Sequence, residues 1–233
     1  MVGAATEENN VAEILSDQGK LEEARSLFES AHASWSAVGY KVGVAFAESN
    51  LGRLAGRAGD VASGRQLLAR ALAAFREINS PAFIAETELR LVECDVLEGN
   101  FEAAIAGATR LIQVVKDVPG YELVYVTALR FSAAAELLEA RSPVAGDGQR
   151  DREGPMRVLD DAITRSSEME ALYELALGLD IRVALGPIAA GEKDRLRAEE
   201  IFSQLGVEQA VITWLDSASG GPLFAYQSAR ADT

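Results

Sequence analysis

Cysteine and histidine are nearly missing from this 233-residue sequence, which contains one of each. The single cysteine, Cys94, excludes an internal disulfide bond and leaves no pair of cysteines at zinc-binding spacing. Its neighbours Glu93 and Asp95 disfavour a thiolate, so Cys94 is predicted to be structural. No cysteine or serine can be placed beside His32 as a nucleophile, and we interpret this histidine as a surface residue.

Positive charge is also scarce, with 22 Lys and Arg against 36 Asp and Glu and a formal net charge of −14 at pH 7. A surface of this sign repels phosphate backbones and anionic lipid headgroups. No apolar stretch approaches the ~18 residues of a membrane-spanning helix, and the N-terminal residues lack the pattern of a secretory signal. We therefore expect no nucleic-acid partner, no membrane partner and a cytoplasmic location.

The motifs of common catalytic and nucleotide sites are absent as well. The sequence contains no Gly-rich phosphate loop, no HExxH helix and no GxSxG turn. Residues 147–158 bear a faint likeness to a calcium loop, but Arg152 stands at the sixth position and Val158 at the twelfth, where glycine and an acid are needed. The sequence therefore predicts no enzyme, no cofactor and no metal.

The feature that is present is a forty-residue repeat, marked by Gly19, Gly59 and Gly99. A glycine takes the left-handed conformation that ends a helix, and Asp60 and Asn100 stand where they can cap a following helix. Since one helical hairpin cannot bury its apolar face alone, successive copies must stack. Small and apolar residues recur at helical spacing in all three copies: Leu21, Ala24, Phe28, Ala31, Trp35 and Val38, with their counterparts forty and eighty residues later.

Two less regular hairpins follow the three regular copies. Residues 125–141 and 156–170 predict the fourth, and residues 171–186 and 193–207 predict the fifth. A loop rich in glycine and proline interrupts the fourth hairpin, and the periodicity stops near residue 206. We therefore predict an all-α solenoid of about five antiparallel hairpins over residues 1–206, with a loop insertion at 142–154 and a C-terminal tail or cap at 207–233.

The repeat resembles the tetratricopeptide repeat (TPR) family. Gly52 in a first helix, and Ala24, Phe28 and Ala31 in a second helix, match the signature of that family, and the tract 50–60 is the closest match. The period is forty residues instead of about 34, and the proline that usually ends the second helix is missing. A forty-residue variant is typical of bacterial multidomain regulators, including nucleotide cyclases and transcriptional activators.

The resemblance implies a concave groove lined by the first helix of each hairpin. The groove mixes acidic and apolar groups with one arginine, which favours a peptide or helix that carries Lys or Arg between apolar anchors. It lacks the Lys and Asn set with which some relatives bind a C-terminal carboxylate. The candidate groove residues are Asn9, Glu13, Phe46, Ser49, Arg53, Glu86, Leu89, Glu93, Leu129 and Glu136.

Two functions are compatible with such a groove. The first is a non-enzymatic protein–protein interaction scaffold, the repeat portion of a larger bacterial signalling or transcriptional regulator, which binds a polypeptide in the groove. The alternative is a sensor of a small molecule or signalling peptide, in which the loop at 142–154 covers the groove and the ligand alters the curvature of the array. The sequence leaves the partner and the oligomeric state open.

Overall fold

The computed structural model describes residues 2–141, 152–186 and 191–207, which form ten α-helices and no β-strand. The predicted all-α class and the five helical pairs are confirmed. Most of the predicted loop at 142–154 and of the predicted tail at 207–233 lies outside the described residues. The helices are α1 Val2–Asp17, α2 Leu21–Ala37, α3 Lys41–Arg57, α4 Val61–Glu77, α5 Pro81–Leu97, α6 Phe101–Val115, α7 Glu122–Glu139, α8 Glu153–Glu168, α9 Leu172–Leu185 and α10 Gly191–Gln204.

Left-handed turn residues set the period of the array. Gly19, Gly39, Gly59, Asn79 and Gly99 all have positive φ angles between 52° and 92°, and they stand twenty residues apart. Each turn therefore ends one helix, and two turns make one forty-residue hairpin. The predicted role of the first, third and fifth of these residues as left-handed helix ends is confirmed.

The second hairpin shows why the repeat needs a small residue in its second helix. A Cβ atom added to Gly64 of α4 would lie 2.6 Å from the carbonyl oxygen of Gly52 in α3, so the two helices approach too closely for any side chain there. Ala24 and Ala104, at the same position of the neighbouring copies, are fully buried. The paired helices therefore approach each other closely at this position of the repeat.

Two details of the repeat pattern differ from expectation. Asp60 caps α4 by accepting a hydrogen bond from the Ser63 amide at 3.1 Å, but Asn100 makes no side-chain cap on α6. Val38 and Ile78 follow the last residues of α2 and α4 and are 42% and 46% exposed, so they do not continue the buried face. The spacing of apolar residues in the sequence does not indicate whether the last residue of the series belongs to the helix or to the turn that follows it.

The buried core is continuous around α7, which is enclosed on most of its faces by α5, α6, α8 and α9. Fully buried alanines on α7, such as Ala128 and Ala134, let these neighbours approach closely. Smaller apolar clusters around Phe28, Trp35 and Phe75 join the first two hairpins. None of the described helices combines the length and the hydropathy needed to cross a bilayer.

The two ends of the array touch each other. Gln18, in the turn after α1, donates a hydrogen bond from Nε2 to the carbonyl oxygen of Leu205, after the end of α10, at 3.0 Å. The first and fifth hairpins are therefore in direct contact, and the concave side of the array is enclosed between them.

Candidate ligand-binding pocket on the concave face

A pocket of about 690 Å³ occupies the concave side of the array. All five odd-numbered helices contribute side chains to its wall, from Glu13 on α1 to Tyr173 on α9. Because these helices are the first members of their hairpins, stacking brings the same face of each one to the same side. The wall divides into an apolar end and a charged end.

The apolar end is built on stacked phenylalanine rings. Phe46 of α3 and Phe83 of α5 pack edge to face with ring centroids 4.3 Å apart, and both rest on the buried ring of Phe75 from α4. Leu123 of α7 also lines the pocket and is 53% exposed. This end of the pocket therefore offers an apolar platform to a ligand.

The charged end centres on Glu93 of α5, which is only 3% exposed. Arg53 and Arg57, one helical turn apart on α3, each donate a hydrogen bond from Nε to a different oxygen of this carboxylate at 2.8 Å. Arg57 also donates to Asp17 of α1 at 2.9 Å. Burial alone would raise the pKa of Glu93, but the two guanidiniums outweigh it and hold the pKa below its ordinary value of 4.5.

Arg90 and Glu86 complete the charged end. Arg90 donates a hydrogen bond to Ser49 Oγ at 2.7 Å and lies 3.8 Å from Glu13, and burial together with Arg53 lowers its pKa. Glu86 makes no ion pair with the described residues. The side chain of Glu86 is partly exposed to solvent, and the desolvation it does undergo raises the pKa of its carboxyl, an effect that Arg90 opposes and Glu13 reinforces.

The last odd-numbered helix closes the charged end of the pocket. Tyr173, in the first turn of α9, lies near the ion pairs of α1 and α3: burial raises the pKa of its phenol, and the charge of Arg57 opposes this shift. Its neighbour Glu174 is held by the buried Arg130 of α7, whose Nε donates at 2.7 Å. The start of α9 is thereby fixed against α7 while it faces α1 and α3.

Six of the ten predicted groove residues line this one pocket, and they are Glu13, Phe46, Arg53, Glu86, Leu89 and Glu93. The other four lie outside its wall. Asn9 is buried between helices and accepts a hydrogen bond from Asn50 at 2.9 Å, and Ser49 is buried behind Arg90. Glu136 accepts a hydrogen bond from Ser132 of its own helix.

The predicted position of Leu129 needs a correction. This residue is buried against Ala162 of α8 and does not face the pocket. The connection between α6 and α7 contains two left-handed residues, Asp117 and Gly120, and α7 starts one residue later than a strict forty-residue period requires. A one-residue shift turns a helix by about 100°, which brings Thr127 to the pocket and Leu129 to the core.

The residues that the sequence did not predict are of two kinds. Phe83 and Arg90 lie one helical turn from Glu86 on the same face of α5, so a wider face would have included them. Asp17 likewise lies one helical turn from Glu13 on α1, where it accepts a hydrogen bond from Arg57. Tyr173 belongs to the wall because the first and fifth hairpins meet there, and no local sequence pattern shows that contact.

The reactive side chains weighed from the sequence lie outside the pocket wall. Cys94 is 1% exposed, and burial raises the pKa of its thiol to about 12, with Glu93 adding to the shift. Its burial agrees with the predicted structural role. His32 lies on α2, half-buried. Within the described ranges, no three His, Cys, Asp or Glu side chains are placed to share a metal ion.

Comparison with known proteins gives a match over the first two hairpins. No curated protein matches the chain. TPR repeats generally mediate protein–protein interactions and scaffolding, and the family is typically non-catalytic. Residues 4–77, which comprise almost all of α1 to α4, match the family model of the tetratricopeptide repeat, in agreement with the resemblance of the sequence to that family.

Proposed function

We propose that this chain is a non-enzymatic interaction module that binds a polypeptide in the concave pocket. The observation that carries the proposal is the pocket itself, which joins an apolar platform to a charged end within about 690 Å³. Extended peptides present apolar and charged side chains along one chain, and such a mixed wall can bind both kinds.

The sign of the charge favours a basic partner. The charged end contains five carboxylates, of Glu13, Asp17, Glu86, Glu93 and Glu174, and four guanidiniums, of Arg53, Arg57, Arg90 and Arg130. One negative charge is therefore left over, on a chain that already carries a net charge of −14. Complementary charge across an interface gives specificity, so the partner carries Lys or Arg next to apolar residues.

Leu123→Glu tests the proposal, because this half-exposed side chain on the pocket wall tolerates a change without loss of the core. We expect the variant to lose the binding of peptides that the unaltered chain selects from a random peptide library, measured as Kd by fluorescence anisotropy. Leu196→Glu is the matched control, since Leu196 is also 53% exposed but lies on α10 outside this pocket. Unchanged Kd values for Leu123→Glu would contradict the proposal.

A second function, the sensing of a small molecule, is favoured by the size of the pocket. A volume of about 690 Å³ falls within the range of about 300–1,000 Å³ that is typical of small-molecule sites. A thermal-shift screen against a metabolite collection separates the two functions. A rise in Tm with one small ligand, absent in Leu123→Glu, would favour a sensor over a peptide-binding module.

The wider organisation belongs to the same proposal. The array occupies residues 1–206 with an insertion at 142–154, residues 207–233 form a tail or cap, and the whole acts in the cytoplasm as the repeat portion of a bacterial regulator. The forty-residue period and the acidic surface support this organisation. The reading frame around residues 1 and 233 tests it: a cyclase, ATPase or DNA-binding domain there is expected, and a frame without an effector domain would contradict it.

A further inference from the structure

The pocket is closed at one end by the contact between the first and fifth hairpins. Asp17, the last residue of α1, and Tyr173, at the start of α9, both belong to its wall at the charged end. Directly beside Asp17, Gln18 is bonded to Leu205 at 3.0 Å. An extended chain that enters from the apolar end therefore cannot pass through and leave between these hairpins.

The length of the pocket limits how much chain it can hold. Along α5 the wall runs from Phe83 to Glu93, a rise of roughly 15 Å at 1.5 Å per residue. An extended chain advances about 3.3–3.6 Å per residue, so at most about four residues fit before the closed end. Glu86 lies only about 4.5 Å beyond Phe83 along α5, so about one residue fits between the apolar platform and Glu86.

The electrostatic arrangement selects which end of a chain fits. At the closed end, Glu93 and Asp17 are already paired with Arg53 and Arg57 and need no charge from a ligand. Glu86, midway along the wall, has no ion pair with the described residues, and its neighbour Glu13 is only 3.8 Å from one guanidinium nitrogen of Arg90. This surplus of negative charge repels a C-terminal carboxylate and attracts an ammonium group.

We infer that the pocket takes the amino-terminal end of a polypeptide, with its free α-ammonium group beside Glu86 and its first apolar side chains on Phe83 and Leu123. This inference rests on the proposed function, because it specifies which part of a polypeptide the pocket binds. Glu86 lies one helical turn from Phe83 on α5, so an ammonium group and the side chain next to it can reach both residues.

The test compares two libraries of random hexapeptide amides that differ only in the amino terminus, which is free in one and acetylated in the other. The full chain is immobilised, bound peptides are sequenced, and the Kd of the best binders is measured by fluorescence anisotropy. We expect binders from the free library only, with apolar first and second residues, and at least a tenfold loss of affinity on acetylation. Glu86→Gln should weaken the free peptide to the level of its acetylated twin and remove the difference between them.

Glu102→Gln is the control variant, since it removes the same charge from an exposed site on α6 outside the pocket, and it should keep the full effect of acetylation. Equal enrichment of acetylated peptides would overturn the amino-terminal inference while supporting polypeptide binding. If the effect of acetylation persists in Glu86→Gln, the assignment of the ammonium group to this residue is overturned. If neither library yields binders, both the inference and the proposed function are overturned.

Discussion

Glu93 is the residue that joins the first three hairpins at the charged end of the pocket. Its carboxylate is buried and accepts hydrogen bonds from Arg53 and Arg57, while Arg57 reaches on to Asp17 of α1. A buried ion pair adds little to stability compared with an apolar pair, but the loss of one partner leaves a charge buried without compensation. The cluster therefore acts as a structural support for the pocket wall.

Glu93→Gln should lower the free energy of unfolding by about 3–5 kcal/mol, because two buried guanidiniums lose their shared anion. Glu22→Gln is the control: Glu22 is 83% exposed and 3.8 Å from Arg25, and such surface pairs contribute about 0–1 kcal/mol. Urea unfolding followed by circular dichroism measures both. Equal, small losses for the two variants would show that the buried cluster is not a support.

Glu93 should also contribute to the pH dependence of the free energy of unfolding. The pKa of Glu93 in the folded chain is lowered from its ordinary value of 4.5. The stabilisation that this carboxylate provides is therefore complete at pH values above its pKa in the unfolded chain, and it is lost as the pH falls below that pKa. Wild-type stability should therefore decline below about pH 4.5, and Glu93→Gln should lose less over the same range. Urea midpoints between pH 7 and pH 3 measure the difference, and parallel curves would contradict it.

Asp180 of α9 has the opposite effect. Burial raises the pKa of its carboxyl from 3.8 to about 6, so the folded chain binds a proton that the unfolded chain releases. Stability is then full below the unfolded pKa and is lost as the pH rises from about 4 to 6. Asp180→Asn should stabilise the chain at pH 7 by about 1–3 kcal/mol and should remove this slope.

Thermal unfolding at pH 4 and pH 7 measures the effect of Asp180→Asn, with Asp161→Asn as the control. Asp161 is a half-exposed partner of Arg165 and should give no gain at pH 7. The expectation for Asp180 fails if the difference in Tm between Asp180→Asn and the wild type is the same at pH 4 and at pH 7.

At the level of single side chains, the repeat period was informative. Arg53 and Glu93 are forty residues apart, which puts them at one position of adjacent hairpins and explains why both were predicted on the same face. That they form an ion pair depends on rotamers and on Arg57 and Asp17, which the groove pattern did not include. Periodicity identifies which residues are neighbours. It does not indicate which of those neighbours form ion pairs with one another inside the protein and which stay available to a ligand.

At the level of the helix pair, α3 and α4 depend on two facing glycines. Gly64→Ala should destabilise the chain by about 1–3 kcal/mol, as expected for overpacking, because the added Cβ would lie 2.6 Å from a backbone oxygen of Gly52 that cannot move alone. Gly3→Ala is the control, since a Cβ there meets nothing within 4 Å and alanine favours a helix. Calorimetric Tm values of both variants measure the difference, and a neutral Gly64→Ala would mean that the helices are farther apart.

The connection between α6 and α7 is where the sequence-based prediction of helix register was wrong. Helix type and pairing followed from the apolar spacing, but a strict forty-residue alignment put Leu129 in the groove. Gly120, one residue beyond the twenty-residue series of turns, was the signal that the register had shifted. The extra turn residue changes the face of a whole helix, so a repeat alignment has to follow the turn residues and not a fixed period.

At the scale of the whole molecule, the contact between the first and fifth hairpins turns an open groove into a pocket closed at one end. The curved stack of hairpins was predictable, because each hairpin must cover the apolar face of the next. The closure was not, since it depends on small rotations that accumulate over five hairpins and on a single hydrogen bond between Gln18 and Leu205. Tyr173 could be placed in the pocket only from the complete fold.

The distance between the two ends of the array tests this closure most directly. Spin labels at Glu22→Cys and Gln204→Cys, both exposed positions, can be measured by double electron–electron resonance, and the buried native Cys94 stays unlabelled. Because Gln18 and Leu205 are in contact and each label lies within about one helical turn of them, we expect a narrow distribution near roughly 20 Å. Four hairpin steps of about 8–10 Å each in an uncurved stack would separate the labels by roughly 32–40 Å, and that result would contradict a closed pocket.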